Sequence, residues 1–400
     1  MTGLEVRAEA LSAGIDYPGA VLLELEGEIA GTDLPAAAWI PAAKTIAEPV
    51  FRIGGAEKSL AELREVYESV LDGVYPRISE EPAAGALYAR AFFGKTLKGE
   101  GAEADRAKRG TADKADGAAT NAGRAARRAG RTGTARPLVA LPVFPGTNGE
   151  WDMEQAFLGA GARTRQVVFR NRAAGDIVES TKELAGVIAE AQIVAFSGGF
   201  SAGDEPDGSG KFIANALRSP ALADAVQQLL EQRDGLILGI CNGFQALVKL
   251  GLVPYGRYTE ALDGMPTLSF NRIGRHISRM ARTTVMSKLS PWLALEEPGA
   301  VHILPVSHGE GRLVLREAEG KALFETGQIP FCYAGEDGLP ALAEPDNPNG
   351  SDFAAEGLTS PDGRILGKMG HSERCGRFVH VNIPGSKQQR IFEAGVAYFA

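Results

Sequence analysis

The chain has 400 residues, 44% of them hydrophobic, which is enough for two domains with cores of their own. A net charge of −8 excludes a surface that is basic throughout, and no uninterrupted apolar run approaches the roughly 20 residues that a membrane helix needs. Three cysteines without a C-x-x-C pair argue against a disulfide framework and a structural zinc site, and the N-terminus lacks an export pattern, so a reducing, cytoplasmic setting is expected.

In chain order, Ala20-VLLELEG reads as a strand and Pro49-VFRIGG as a second, short one. Ser59-LAELREVYESVLDGVYP reads as an amphipathic helix, with Ser59 as N-cap and Glu62 as its capping-box partner. Leu60, Leu63, Val66, Tyr67 and Val70 recur at helical spacing on one apolar face. This small α+β region, residues 1–95, has no evident site.

Lys95 to Arg136 is mostly Ala, Gly, Thr and charge. Such a stretch cannot bury enough surface to offset its ordering entropy, so 96–136 reads as a disordered linker. From Gly117 on it holds five arginines and no acid, which suits a nucleic-acid arm or, as we read it, a solvated basic linker.

From residue 137 short apolar runs alternate with helical patterns. Leu138-VALPVF, Arg165-QVVFR, Ile193-VAFSGGF and Leu236-ILGI are expected strands. Asp152-MEQAFLGAGA, Thr181-KELAGVIAEA, Phe212-IANALRS, Leu222-ADAVQQLLEQ and Phe244-QALVKLG are expected helices. Repeated β-then-α units with continuous apolar strands imply an α/β fold with a doubly wound, mostly parallel sheet. Ligands in that architecture sit at the carboxyl ends of the strands.

Two such ends carry chemistry. In Gly239-Ile240-Cys241-Asn242-Gly243, paired glycines relieve crowding at a sharp strand-to-helix turn and push Cys241 out of the sheet, as in a nucleophile elbow. The following helix N-terminus favours a thiolate there. Ser197-GGFSAGD is a glycine-rich loop whose N–H groups, with the amide of Asn242, suit a developing oxyanion. A phosphate loop is the rival reading, weakened because no G-x-x-x-x-G-K-[ST] is present.

A cysteine nucleophile needs a base, and two H-x-E elements offer one: His308 with Glu310, and His371 with Glu373. On extended backbone, residues two apart face the same way, so either glutamate could orient its imidazole. His276, His302 and His380 are read as structural. No third ligand sits at a metal-binding spacing, so no metal is expected.

These residues resemble the class I, or triad, glutamine amidotransferases, whose nucleophile turn G-x-C-x-G-x-Q matches Gly239 to Gln245. Within that class the chain is similar to the glutaminase domains of the phosphoribosylformylglycinamidine synthase family, which implies a flavodoxin-like glutaminase fold over 137–400. The motifs are Pro145-GTN, Ser197-GGFSAGD, Gly239-ICNGFQAL, Ser307-HGEGR, Asn347-PNGS and Gly370-HSER, in the family's order. Three positions depart from it: the commoner P-H-P-E is G-H-S-E here, with Gly370 and Ser372 in place of the prolines, and Gly149 stands where many members have cysteine.

The resemblance implies a triad of Cys241, His371 and Glu373, with Gln245 and the Gly199 and Phe200 amides holding the substrate amide and its oxyanion. His308, Glu310 and Arg312 become a signature near the site. It further implies glutamine hydrolysis through a Cys γ-glutamyl thioester, with ammonia passed to a synthetase domain or subunit. ATP and Mg²⁺ belong to that synthetase portion, and no cofactor is expected in this chain. Residues 1–95 look like the tail of a synthetase, so the chain resembles a C-terminal piece of a larger synthase. Alternatives of other classes are a non-catalytic glutaminase-like module and a cysteine peptidase or hydrolase on a similar sheet.

Overall fold

The computed structural model describes residues 3–6, 43–53, 55–69, 84–97, 134, 136–203, 209–260 and 265–400. The strand expected at Ala20-VLLELEG, Val70 and nearly all of 96–136 lie outside them. Two compact units are present, Met1–Arg77 and Ile78–Ala400.

In the first unit, β1 (Gly3–Val6), β2 (Ala43–Ile46), β3 (Val50–Ile53) and β4 (Ala56–Ser59) form one sheet in the order β2-β1-β3-β4. Strand β3 is the one expected at Pro49-VFRIGG. The capping box forms: the Ser59 N–H donates to Glu62 Oε2 at 3.0 Å and the Glu62 N–H to Ser59 Oγ at 3.1 Å. The helix Leu60–Ser69 starts there. Its expected apolar face is only partly realised, since Leu60 and Leu63 are half-buried and Val66 is exposed.

The second unit begins with a helix, Ala84–Leu97, that composition had grouped with the preceding region. Ala86, Ala89 and Phe93 are buried, and Tyr88 meets Phe324 and Phe353 edge-on at 6.1 Å. Aromatic burial, not the helix's weak amphipathicity, fixes it to this unit.

The central sheet uses β5 (Leu138–Val143), β6 (Arg163–Val168), β7 (Ile193–Phe196) and β8 (Leu236–Ile240). Every residue of β7 and β8 is buried, the pattern of parallel strands covered on both faces. Beyond β8 come β9 (Thr267–Ser269), β10 (Ile277–Val285), β11 (Val301–His308), β12 (Arg312–Val314), β13 (Phe331–Tyr333), β14 (Gly357–Thr359) and β15 (Ile365–Lys368). The six-stranded order is β14-β15-β8-β7-β5-β6, parallel except for β14 against β15.

From β5 the chain steps outward to β6, then returns past β5 to β7 and β8. Helices Ala174–Glu190 and Pro220–Glu231 pack together, while Glu150–Gly159 packs with Ile391–Ala397. These are the two faces of a doubly wound sheet, and the reversal of direction lies between β5 and β7. Loops 144–149 and 197–203 leave the two strands there and are bridged through Thr147 and Gly199.

A second, antiparallel sheet, β11-β10-β13, had no counterpart among the expected elements. Along β11 burial alternates residue by residue, with His302, Leu304, Val306 and His308 inward. Its carboxyl end reaches the Cys241 turn: the Ser307 carbonyl accepts from Cys241 Sγ at 3.7 Å, and the Pro305 carbonyl accepts from the His371 N–H at 2.9 Å.

Candidate active site

Cys241 follows β8 and caps the helix Asn242–Leu250 with φ 52° and ψ −104°, a conformation that L-residues rarely adopt. Close packing forces it. A Cβ on Gly243 would stand 2.3 Å from the Phe196 carbonyl oxygen, and one on Gly239 would stand 2.6 Å from Leu247 Cδ1. The paired glycines therefore let helix and strands meet, as the motif required. The Cys241 N–H is held by the Lys368 carbonyl at 2.8 Å, across the β8–β15 edge.

His371 and Glu373 come from the turn after β15. His371 Nδ1 and Glu373 Oε1 are 2.6 Å apart, both side chains buried. Gly198, from the loop after β7, separates His371 and Cys241 by so little that its own Cβ would stand 2.8 Å from His371 Cε1 and 3.4 Å from Cys241 Cβ. The other ring nitrogen, Nε2, is buried without a protein partner that meets hydrogen-bond geometry. Burial opposes protonation of His371, but the Glu373 carboxylate and then the Cys241 side chain outweigh it and raise its pKa to about 9. Burial likewise opposes the Glu373 anion, and His371 more than compensates, leaving its pKa below the usual value.

The two H-x-E elements behave differently, and neither lies wholly on a strand. Strand β11 ends at His308 and β15 ends at Lys368, so each glutamate is placed by a turn and not by strand alternation. In the second element the turn folds the carboxylate onto the imidazole. In the first, His308 Nδ1 meets Asn271 Oδ1 at 3.0 Å, while Glu310 Oε2 accepts from the Ser209 N–H at 2.8 Å. Burial, then the charges of His371 and His276, press the His308 pKa down to about 3, so it is neutral near pH 7.

Gln245, expected to hold the substrate amide, is engaged within the protein. Its Nε2 donates to the Glu310 carbonyl at 2.5 Å and its Oε1 accepts from Asn242 Nδ2 at 2.9 Å. Asn242 Oδ1 in turn accepts from the Ser201 N–H at 3.2 Å, tying the helix Asn242–Leu250 to the glycine-rich loop. The Phe200 N–H, expected at the oxyanion, donates to the Gly146 carbonyl at 2.8 Å. Gly199 lies beside it at φ 138°. Arg312 starts β12, pairing with Ser269 of β9.

His302, read as structural, pairs with Glu296 at 3.0 Å inside the fold, whereas His276 lies near the site, 3.0 Å from Ser307 Oγ. His380 stands in the loop after the His371 turn. Sequence reading missed Asn271, which holds His308, and the buried pair Lys368 and Glu356 behind His371. A lysine inside the apolar run Ile365-LGKM was the one signal available. Among the described residues no cluster of His, Cys, Asp or Glu is placed to hold a metal ion, and no helix is long and apolar enough to cross a membrane.

A family model described as the CobB/CobQ-like glutamine amidotransferase domain matches residues 136–399. The chain belongs to this glutamine amidotransferase family. The phosphoribosylformylglycinamidine synthase subunit PurQ of Methanococcus maripaludis is 34% identical over 235 residues, covering 57% of this chain and 79% of that protein. The subunit of the same name from Rhodospirillum rubrum is 34% identical over 234 residues, covering 58% of this chain and 88% of its own. The solved structure of PurLQS from Thermotoga maritima aligns over 66% of this chain and all of the matched one, at 25% identity and a TM-score of 0.47. The residues matched by the family model take in all three sheets of the second unit and Cys241, His371 and Glu373.

Proposed function

We propose that this glutamine amidotransferase hydrolyses glutamine through a γ-glutamyl thioester on Cys241. The ammonia goes to a synthetase, in cis or in trans, that converts formylglycinamide ribonucleotide to formylglycinamidine ribonucleotide in de novo purine biosynthesis. The observation that carries the reading is the His371 imidazole, bonded at Nδ1 to Glu373 at 2.6 Å and separated from Cys241 by little more than Gly198. The names of the PurQ relatives support the pathway.

In this reading His371 holds the Cys241 proton as an imidazolium while Sγ attacks the side-chain amide carbon of glutamine. The tetrahedral intermediate collapses, the C–N bond breaks, and the proton leaves on ammonia. Water then attacks the thioester and gives a proton to His371, which returns it to sulfur as the C–S bond breaks and glutamate departs. Glu373 fixes the tautomer and stabilises the imidazolium. With the Phe200 N–H committed to Gly146, the Gly199 amide is the proposed oxyanion donor. Gln245 acts through Glu310, shaping the pocket wall. ATP and Mg²⁺ act in the synthetase.

The test combines wild type or Cys241→Ala with a synthetase partner, glutamine or ammonia, and ATP. Cys241→Ala should lose glutamine-dependent product while ammonia-dependent product survives. Glutamine hydrolysis by Cys241→Ala would rule out the nucleophile.

A further inference from the structure

Lys368, at the end of β15, is fully buried, as is its partner Glu356, with Nζ and Oε1 3.2 Å apart. A buried ion pair rarely stabilises a fold more than apolar residues of similar volume, so its presence asks for another reason. Its hydrogen bonds supply one. Lys368 Nζ donates to the Gly370 carbonyl at 2.9 Å and to Ser372 Oγ at 2.7 Å. Glu356 Oε1 accepts from the Gly370 N–H at 2.6 Å. The pair therefore grips both backbone groups of the residue before His371 and the hydroxyl of the residue after it.

The grip extends both ways. Ser372 Oγ donates to Gln389 Oε1 at 2.6 Å, and Gln389 Nε2 donates to Thr283 Oγ1 at 3.2 Å, anchoring the turn to β10. The main-chain carbonyl of Lys368 meanwhile holds the Cys241 N–H at 2.8 Å. One residue thus sets the nucleophile with its backbone and the base-bearing turn with its side chain. The commoner P-H-P-E could make neither bond, because proline has no N–H for Glu356 and no hydroxyl for Lys368. A Cβ at position 370 would stand 2.7 Å from Glu356 Oε1.

We propose that Lys368 and Glu356 are positioning residues for glutamine hydrolysis, fixing the Gly370–Glu373 turn so that His371 faces Cys241. The proposal rests on the glutaminase reading above. Misplacement by about 1 Å in such a constellation costs on the order of 100-fold in rate.

The test is the double variant Lys368→Met with Glu356→Leu in the full chain, which leaves no unpaired buried charge, alongside Ser372→Ala, which removes one bond. Measured are the thermal midpoint, kcat and KM for glutamine, and the rate at which iodoacetamide alkylates Cys241. The double variant should keep its midpoint and KM within about twofold while kcat falls at least about tenfold, with alkylation slowed in step. Ser372→Ala should show a smaller loss in kcat alone. A folded double variant with wild-type kcat overturns the proposal, and if the double variant fails to fold, an unchanged kcat in Ser372→Ala does so. Loss of the glutaminase reading would show separately, as turnover by Cys241→Ala.

Discussion

Cys241 is held at φ 52° and ψ −104°, a strain worth about 1–3 kcal/mol that only a glycine would escape. Cys241→Gly should therefore be more stable than Cys241→Ala by about 1 kcal/mol, the reverse of their usual order, while both lack glutaminase activity. Denaturant midpoints of the two inactive variants decide it, and the usual order would remove the strain argument. His371 makes a prediction in pH. Its folded pKa, about 9, lies above the unfolded value of 6.5, so its contribution to stability is complete below 6.5 and is lost as pH rises through 9. Unfolding free energy should drop by up to roughly 3 kcal/mol more in wild type than in His371→Gln between pH 6.5 and 9.5. Parallel pH profiles for the two proteins would mean that the imidazole is not held as a cation. At this scale the sharp turn at Cys241 was legible because its causes, Gly239 and Gly243, lie within a few residues of it. The roles of Gln245 and Phe200 were not, because their partners, Glu310 and Gly146, are distant in sequence.

At the scale of elements, β-then-α alternation announced the parallel strands β5 to β8, whose neighbours follow at short range. The antiparallel pair β10 and β11 escaped notice, although it brings Ser307 and His308 to the site. Pairing across a sheet is non-local, and a strand such as β10, with Arg279 and Arg282 among its residues, lacks a clean apolar period. The helix Leu60–Ser69 was legible from its first turn, and there the capping box can be tested. Ser59→Ala should cost about 1 kcal/mol of local helix stability, read as faster amide exchange in Leu60–Ser69 with the second unit unchanged. Unchanged exchange in that helix would mean that the cap is idle.

At the scale of the whole molecule, composition set the boundary of the first region after residue 95, whereas the helix Ala84–Leu97 belongs to the second unit. Large apolar residues in that helix reach across the unit, Tyr88 to Phe324 and Phe353 and Phe92 to Phe324, contacts that no local pattern could announce. A chain starting at residue 136 should consequently unfold at a lower temperature than one starting at residue 78, by several degrees, because Phe353 and Phe324 lose their cover. Equal midpoints would show that the helix adds nothing to the fold.

Docking of that helix has one more consequence. With Leu97 and Thr134 both anchored, residues 98–133 span two fixed points, and the length between them is thermodynamically cheap. Doubling it costs about 0.6 kcal/mol, less than burying a single methylene returns. A tag, a protease recognition sequence or a fluorescent reporter spliced into that span should leave the glutaminase fold undisturbed.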